Sequence, residues 1–384
     1  MTEVVIVADD LTGAADSAVP FAARASTAVA LDEAWPRARV VAVDTDSRYS
    51  PEAVAAERVG KAVARGRADG ARIVKKIDST LRGNVGAEIA AAREAAGGRV
   101  LAVVAPAFPA TGRTVSGGVV RVGGEPLPGR RYGGDVVALL AAAGLRARRI
   151  GLDAVRGPGL DARFAQALRD GLDAVVCDGE TDADLRAVCD AAGDGTATLL
   201  VGSGGLTAAL ARTLGPAEPV AVTAPAGPAL VVIGSYSELA RAQRAELVAG
   251  GWTPVHVGPG GTGADEAVRA VRAGLAGGDV VLSVDPDAPV DRARAFATAR
   301  ALAAVAVGGA DAAGILAATG GETARAVLLG LGATELWPVG EPEPGVVAGR
   351  VRGTGALFIT KAGAFGDPAT LARVVRAVRT EQGE

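Results

Sequence analysis

Three short segments in the first half of this chain concentrate groups able to do chemistry. Asp9-Asp10-Leu11-Thr12-Gly13 follows an apolar run. Adjacent carboxylates can hold a hydroxyl, accept its proton or order a hydrated Mg²⁺, while Asp and Thr equally favour a helix N-cap. Asp44-Thr45-Asp46-Ser47-Arg48 follows a second apolar run and offers, in Arg48, a planar fork suited to a carboxylate. A salt-bridged surface turn is the plainer alternative. Lys75-Lys76-Ile77-Asp78-Ser79-Thr80-Leu81-Arg82-Gly83-Asn84 packs cations, an acid, hydroxyls and an amide together. That density of directional groups suits a polyhydroxylated acid, each of whose oxygens needs a partner.

Rarity sharpens the third segment. The chain uses Arg for nearly every cation, and its only lysines are Lys61, Lys75, Lys76 and Lys361. Asn84 is its only asparagine. The second half carries a different signal: small residues at strand-to-helix turns, where a phosphate can approach backbone N–H groups. These turns are Gly234-Ser235-Tyr236-Ser237, Thr319-Gly320-Gly321-Glu322-Thr323-Ala324 and Thr360-Lys361-Ala362-Gly363-Ala364-Phe365-Gly366-Asp367.

The elements that must position these groups read as alternating strands and helices. Expected strands include Glu3–Ala8, Arg39–Val43, Ala71–Ile77, Val100–Ala105, Ala174–Cys177 and Thr198–Val201, with helices between them. Thr111–Gly134, rich in Gly, Arg and Pro, reads as a hairpin excursion. Gly215–Pro228 reads as a linker, after which the alternation restarts. The composition, 49% hydrophobic with few aromatics and 54 glycines, suits closely packed α/β layers. The expected fold is two α/β domains, 1–220 and 228–384, with mainly parallel sheets and an active-site cleft between them.

Several function classes are excluded. A net charge of −3 without a basic run argues against a nucleic-acid surface. The single histidine, His256, read as a core or interface residue, argues against a His-rich metal site or a His-based triad. Two cysteines, Cys177 and Cys189, make no disulfide framework. No apolar stretch is long enough for a membrane span, and the N-terminus lacks signal-peptide features, so a cytoplasmic enzyme is expected. Gly258–Gly263 and Gly202–Gly205 only loosely resemble dinucleotide loops, and there is no Walker-A sequence.

These motifs, together with Pro106-Ala107-Phe108-Pro109 and Gly112-Arg113-Thr114, resemble in order and combination the four-carbon acid sugar kinases, which include threonate, erythronate and 3-oxo-tetronate kinases. The resemblance implies an N-terminal acid-sugar domain, a C-terminal ATP domain, and phosphorylation of the 4-hydroxyl of a four-carbon acid. It implies substrate contacts at Asp10, Arg48 and Lys76, Ile77, Asp78 and Ser79, and nucleotide contacts at Ser235, Gly320, Gly321, Glu322, Thr323 and Gly363. The residue reading adds Arg82 and Asn84 to the first set, and Ser237 and Lys361 to the second. Asp10 is expected to orient the hydroxyl and take its proton, with Asp78 as rival base. Arg48 or Lys76 would hold the acid carboxylate, and Mg²⁺ would bridge the ATP phosphates with no protein ligand assigned. The wording of the third motif is closest to the threonate and erythronate branch. Two departures stand out: Pro128-Gly129-Arg130-Arg131-Tyr132 replaces an Asp-Pro-rich segment, and Ala364 stands where glycine is usual. A nucleotide-dependent oxidoreductase of a small hydroxy acid and a non-catalytic acid-sugar-binding protein are the alternatives, and self-association is left open.

Overall fold

The computed structural model describes residues 1–380 except 98, 130, 219–221, 236, 286–294 and 364. It comprises two compact units, 1–29 with 35–218, and 30–34 with 219–384. Both are α/β. Tyr236, Ala364 and Arg130, singled out in the sequence, lie outside the described residues.

The first unit contains β1 (Val4–Ala8), α1 (Leu11–Ala22), β2 (Thr27–Ala30), β3 (Val40–Asp44), α2 (Glu52–Ala68), β4 (Arg72–Lys76), α3 (Val85–Ala95) and β5 (Leu101–Ala105). It continues through β6 (Arg113–Ser116), β7 (Val119–Val122), β8 (Glu125–Pro126), α4 (Val136–Ala142), β9 (Ala147–Ile150), α5 (Leu152–Arg156) and α6 (Leu160–Arg169). β10 (Ala174–Cys177), α7 (Asp182–Ala191), β11 (Thr198–Gly202) and α8 (Gly204–Ala211) complete it. The main sheet has the order β2-β3-β1-β4-β11-β5-β10-β9. Each registered pair in it is parallel. Strands such as Val4–Ala8 and Leu101–Ala105 are buried at every residue, as a sheet covered on both faces requires.

The topology explains where chemistry can sit. From β1 the chain travels to β3 on one side, whereas from β4 it travels to β5 on the other. Right-handed crossovers in opposite directions pull the loops after β1 and β4 apart, leaving a crevice at their carboxyl ends. The expected excursion is the three-stranded antiparallel sheet β6-β7-β8.

The second unit contains β12 (Ala229–Ile233), α9 (Glu238–Ala249), β13 (Thr253–Val257), α10 (Ala264–Gly277), β14 (Val280–Val284), α11 (Ala295–Gly309) and β15 (Ile315–Thr319). α12 (Gly321–Gly330), β16 (Glu335–Glu343), β17 (Val346–Val351), β18 (Leu357–Lys361) and α13 (Thr370–Thr380) follow. Its strand order is β13-β14-β12-β15-β18-β17-β16, parallel except where β17 pairs antiparallel with β16 and β18. The core joins inward residues of β12, β15 and β18 to α9 and α13. The residues just before β12 pack here too, with Ala224 N–H donating to Val378 O.

Several elements escape the sequence reading. α10 and α11 are rich in Ala and Gly, which blur the apolar period, and β2 has only four residues. His256 is not in a core: it is exposed on the edge strand β13 and bonds Arg244 and Ser283. Among the described residues no helix is long and apolar enough to cross a membrane. Cys177 and Cys189 are buried free thiols.

Candidate active site

The loops after β1, β3 and β4 meet at the crevice. Asp10 is the N-cap of α1, its Oδ1 accepting from Gly13 N–H at 2.8 Å. Its Oδ2 accepts from Thr12 Oγ1 at 2.7 Å and from Arg48 Nη1 at 2.6 Å. The capping reading of Asp10 is thus realised, and Arg48 holds the same carboxylate. Arg48 grips Asp9 with the fork expected for a substrate, Nε at 2.7 Å and Nη2 at 2.8 Å. Burial opposes the charge of Asp9, but the Arg48 pair and the nearby charges of Lys75 and Lys76 prevail and lower its pKa. Arg48 is therefore chiefly a clamp on the two aspartates, and its fork is not open for a carboxylate. A buried Arg between two carboxylates is neutralised locally, which is why the structure turns it inward.

Asp78 is likewise engaged. Oδ1 accepts from Thr80 Oγ1 at 2.6 Å and from Thr80 and Arg82 N–H, and Oδ2 accepts from Arg82 Nη2 at 2.6 Å. Burial disfavours its charge, yet Arg82's hydrogen bond and charge, with Arg48's, hold the carboxyl far below the usual carboxylate range. A carboxylate so stabilised is a poor proton acceptor, which weighs against Asp78 as the rival base. Asn84 donates to Ser47 O and Ser50 O, so the only asparagine latches the loop after β3. Ile77 is fully buried and its N–H is bonded to Gly202 O. Asp46 and Leu81 are the only described non-glycine residues with positive φ, at 49° and 57°. Both lie in these loops, and such conformations persist where surrounding bonds over-determine them.

Beneath the loops lies a network of buried charge. Lys75 Nζ pairs with Glu88 Oε2 at 2.8 Å, and Glu88 Oε1 accepts from Ser47 Oγ at 2.6 Å. Lys75 and Glu88 are 0% and 1% exposed. The pair ties β4 to α3 and, through Ser47, to the loop after β3. Glu88 was not anticipated, because nothing in a helical sequence marks one acid as inward-facing.

Lys76 differs from its neighbour. It is 4% exposed, and its ammonium has no hydrogen bond or ion pair among the described residues. Its Nζ reaches the first turn of α1, where a Cβ on Gly13 would lie 3.1 Å away. Nearby, Arg113 Nη1 donates to Ser79 Oγ at 2.8 Å. Asp16 lies on α1, three residues beyond the first motif. It accepts no hydrogen bond from a described residue. Its Oδ2 packs where a side chain on Gly204 would be, and Phe108 borders the same spot. Burial, helped by the charge of Asp10 and opposed by Lys76 and Arg113, pushes its carboxyl above the usual range.

In the second unit the three small-residue turns converge at the carboxyl ends of adjacent strands β12, β15 and β18. Gly320 N–H donates to Lys361 O at 2.8 Å, and Ser237 Oγ to Gly363 O at 3.4 Å. Gly234 backs onto Thr323 so closely that any side chain there would overlap its hydroxyl. Gly320, at φ +88°, is the N-cap of α12 and supplies no side-chain cap. A helix N-terminus without a side-chain cap, here with Gly321, Glu322 and Thr323 in its first turn, is a position where an anion's oxygens can be met. Ser235 Oγ lies 3.2 Å from Ser237 Oγ, and Ser237 caps α9 through Ala240 N–H. Lys361 was expected to reach the nucleotide. Instead it is 1% exposed and donates to the carbonyls of Ala362 and Phe365, both at 2.9 Å. Burial lowers its pKa to about 8.

Comparison with known proteins agrees with this division. A sugar-binding N-terminal domain matches residues 4–210, and a nucleotide-binding C-terminal domain matches residues 230–371. The chain is 40% identical to a D-threonate kinase of Cupriavidus necator, covering 95% of each chain. It is 37% identical to a D-threonate kinase of Bordetella bronchiseptica, covering 97% of each. A solved structure from Salmonella typhimurium shares the fold with a TM-score of 0.81, at 22% identity over 98% of this chain and 99% of the other.

Proposed function

This chain belongs to the four-carbon acid sugar kinase family, and on that premise we propose that it transfers the γ-phosphoryl group of ATP to the 4-hydroxyl of D-threonate. The observation that carries the reading is Lys76, a lysine 4% exposed whose ammonium has no hydrogen bond or ion pair among the described residues, inside a site otherwise closed by ion pairs. A cation largely withdrawn from water without a counter-ion is costly, and an anionic ligand would complete the arrangement. Lys76 takes the carboxylate, Ser79 and Arg113 bracket the chain of hydroxyls, and the remaining lone pair of Asp10 Oδ1 receives one of them. Arg82 borders the site, while Arg48, Ile77, Asp78 and Asn84 hold the loops in shape. D-threonate is favoured because the two relatives of that name match nearly the whole chain at 40% and 37% identity, against 29–31% for the 3-oxo-tetronate kinases that match as much of it.

In the second unit, the α12 N-terminus with Gly320, Gly321, Glu322 and Thr323 receives the nucleotide phosphates, and Ser235, Ser237 and Gly363 wall the adjoining turn. Lys361 acts through the shape of its loop. Mg²⁺ travels with ATP, held by phosphate oxygens and water, as its coordination preference dictates. Among the described residues no three His, Cys, Asp or Glu side chains converge on a metal position, and no step is assigned to it.

A coupled ADP-release assay on D-threonate, L-threonate, D- and L-erythronate and 3-oxo-tetronate tests the proposal. The expected result is the highest kcat/KM on D-threonate. A preference for 3-oxo-tetronate would replace the substrate, and ADP release without any acid-dependent increment would reject the transfer reaction.

A further inference from the structure

Phosphoryl transfer to a hydroxyl must dispose of that hydroxyl's proton. Three carboxylates at the crevice are already committed: Asp9 to the fork of Arg48, Asp10 to Gly13, Thr12 and Arg48, and Asp78 to Thr80 and Arg82. Asp16 is the one acid there that accepts no hydrogen bond from a described residue. We propose that Asp16 is the general base of the transfer, its carboxylate set in the space that Gly204 leaves open and facing the substrate bound at Lys76. Its charged surroundings are Asp10 from the loop before α1, Lys76 from β4 and Arg113 from β6, whereas Gly204 and Phe108 contribute no charge.

The substrate O–H bond breaks and its proton passes to Asp16. The alkoxide oxygen forms a bond to the γ-phosphorus, the bond from that phosphorus to the β,γ-bridging oxygen breaks, and ADP leaves. Asp16 returns its proton to water as the phosphorylated acid departs. The lone pair left on Asp10 is taken up by a substrate hydroxyl and Asp78 would have to surrender a hydrogen bond to take this proton, whereas Asp16 surrenders none. The raised pKa suits the role, since a base is most effective when its affinity for protons approaches the working pH.

The inference rests on the kinase reading, and the test separates the two. In Asp16→Asn, kcat is expected to fall at least about a hundredfold, with KM for the acid and for ATP altered less than about threefold. The wild-type kcat should decline toward acid pH as Asp16 is protonated, and the variant should lose that limb of the profile. Because burial penalises the charge, the amide should leave Tm at pH 7 equal or higher, whereas loss of a structural carboxylate would lower it. Gly204→Ala is the second lever: its methyl displaces the carboxylate, so kcat should fall while acid KM is retained. An active wild type with an equally active Asp16→Asn overturns the assignment of the base alone. So does a variant that keeps the acid limb, or one that loses acid affinity and kcat together. A wild type that phosphorylates no acid overturns the kinase reading and this inference with it.

Discussion

At the ends of β3, β1 and β4 the candidate site is made of side chains bonded to side chains: Arg48 on Asp9 and Asp10, Arg82 on Asp78, Lys75 on Glu88. At the ends of β12, β15 and β18 it is made of glycines, hydroxyls and the N-terminus of α12, which has no side-chain cap. The contrast follows from what each must recognise. A hydroxylated acid presents a few oxygens in one stereochemical arrangement, so its partners must be directional, charged and held still by further charges. A triphosphate presents many similar oxygens, and backbone N–H groups at a helix end meet them without side-chain choice. The first design depends on individual side chains, and the second on main-chain shape. Substitutions should therefore separate the two by kind as well as by place.

The largest effect is expected where charge is buried deepest. Lys75→Met strands Glu88 without its counter-ion, which typically costs about 3–5 kcal/mol. Urea unfolding should show this loss, and the double variant Lys75→Met/Glu88→Gln should recover a large part of it. If Lys75→Met were as stable as wild type, the network would not hold the first site in place.

Lys76→Met removes a cation that adjoins Lys75 in sequence but has no partner among the described residues. Stability should hold or rise, since no buried acid is orphaned. A charge-assisted contact to the substrate is worth about 1.5–3 kcal/mol, so KM for the acid should rise about 10- to 150-fold with KM for ATP unchanged. Initial-rate kinetics with each substrate varied in turn would show it. An equal loss of ATP affinity would erase the separation between the two regions.

The smallest effect tests main-chain shape in the second unit. Gly320→Ala places a Cβ at φ +88°, a conformation that costs an L-residue about 1–2 kcal/mol. Relief of that strain would turn the α12 N–H groups away from the phosphates. KM for ATP should rise about 5- to 25-fold, with KM for the acid unmoved. A change confined to the acid would contradict the placement of the nucleotide.

The sequence by itself determined the two-part α/β organisation, because apolar runs of strand length alternating with amphipathic stretches allow little else. It also determined which segments carry chemistry: rare residue types at strand ends, such as Lys76 and Asn84, are conspicuous before any folding is considered. What it left open was the partner of each charge. Arg48 and Lys76 look equally ready to hold a carboxylate, yet Arg48 is claimed by Asp9 and Lys76 is left without a partner. Asp10 and Asp78 both look able to take a proton, and only the fold shows which hydrogen bonds each already holds. Lys75 and Lys76 are adjacent, but strand alternation sends one ammonium to Glu88 and the other to the turn of α1. Pairing between charges distant in sequence depends on which loops the sheet order brings side by side. Strand order is a property of the whole chain, and so only the tertiary structure decides it.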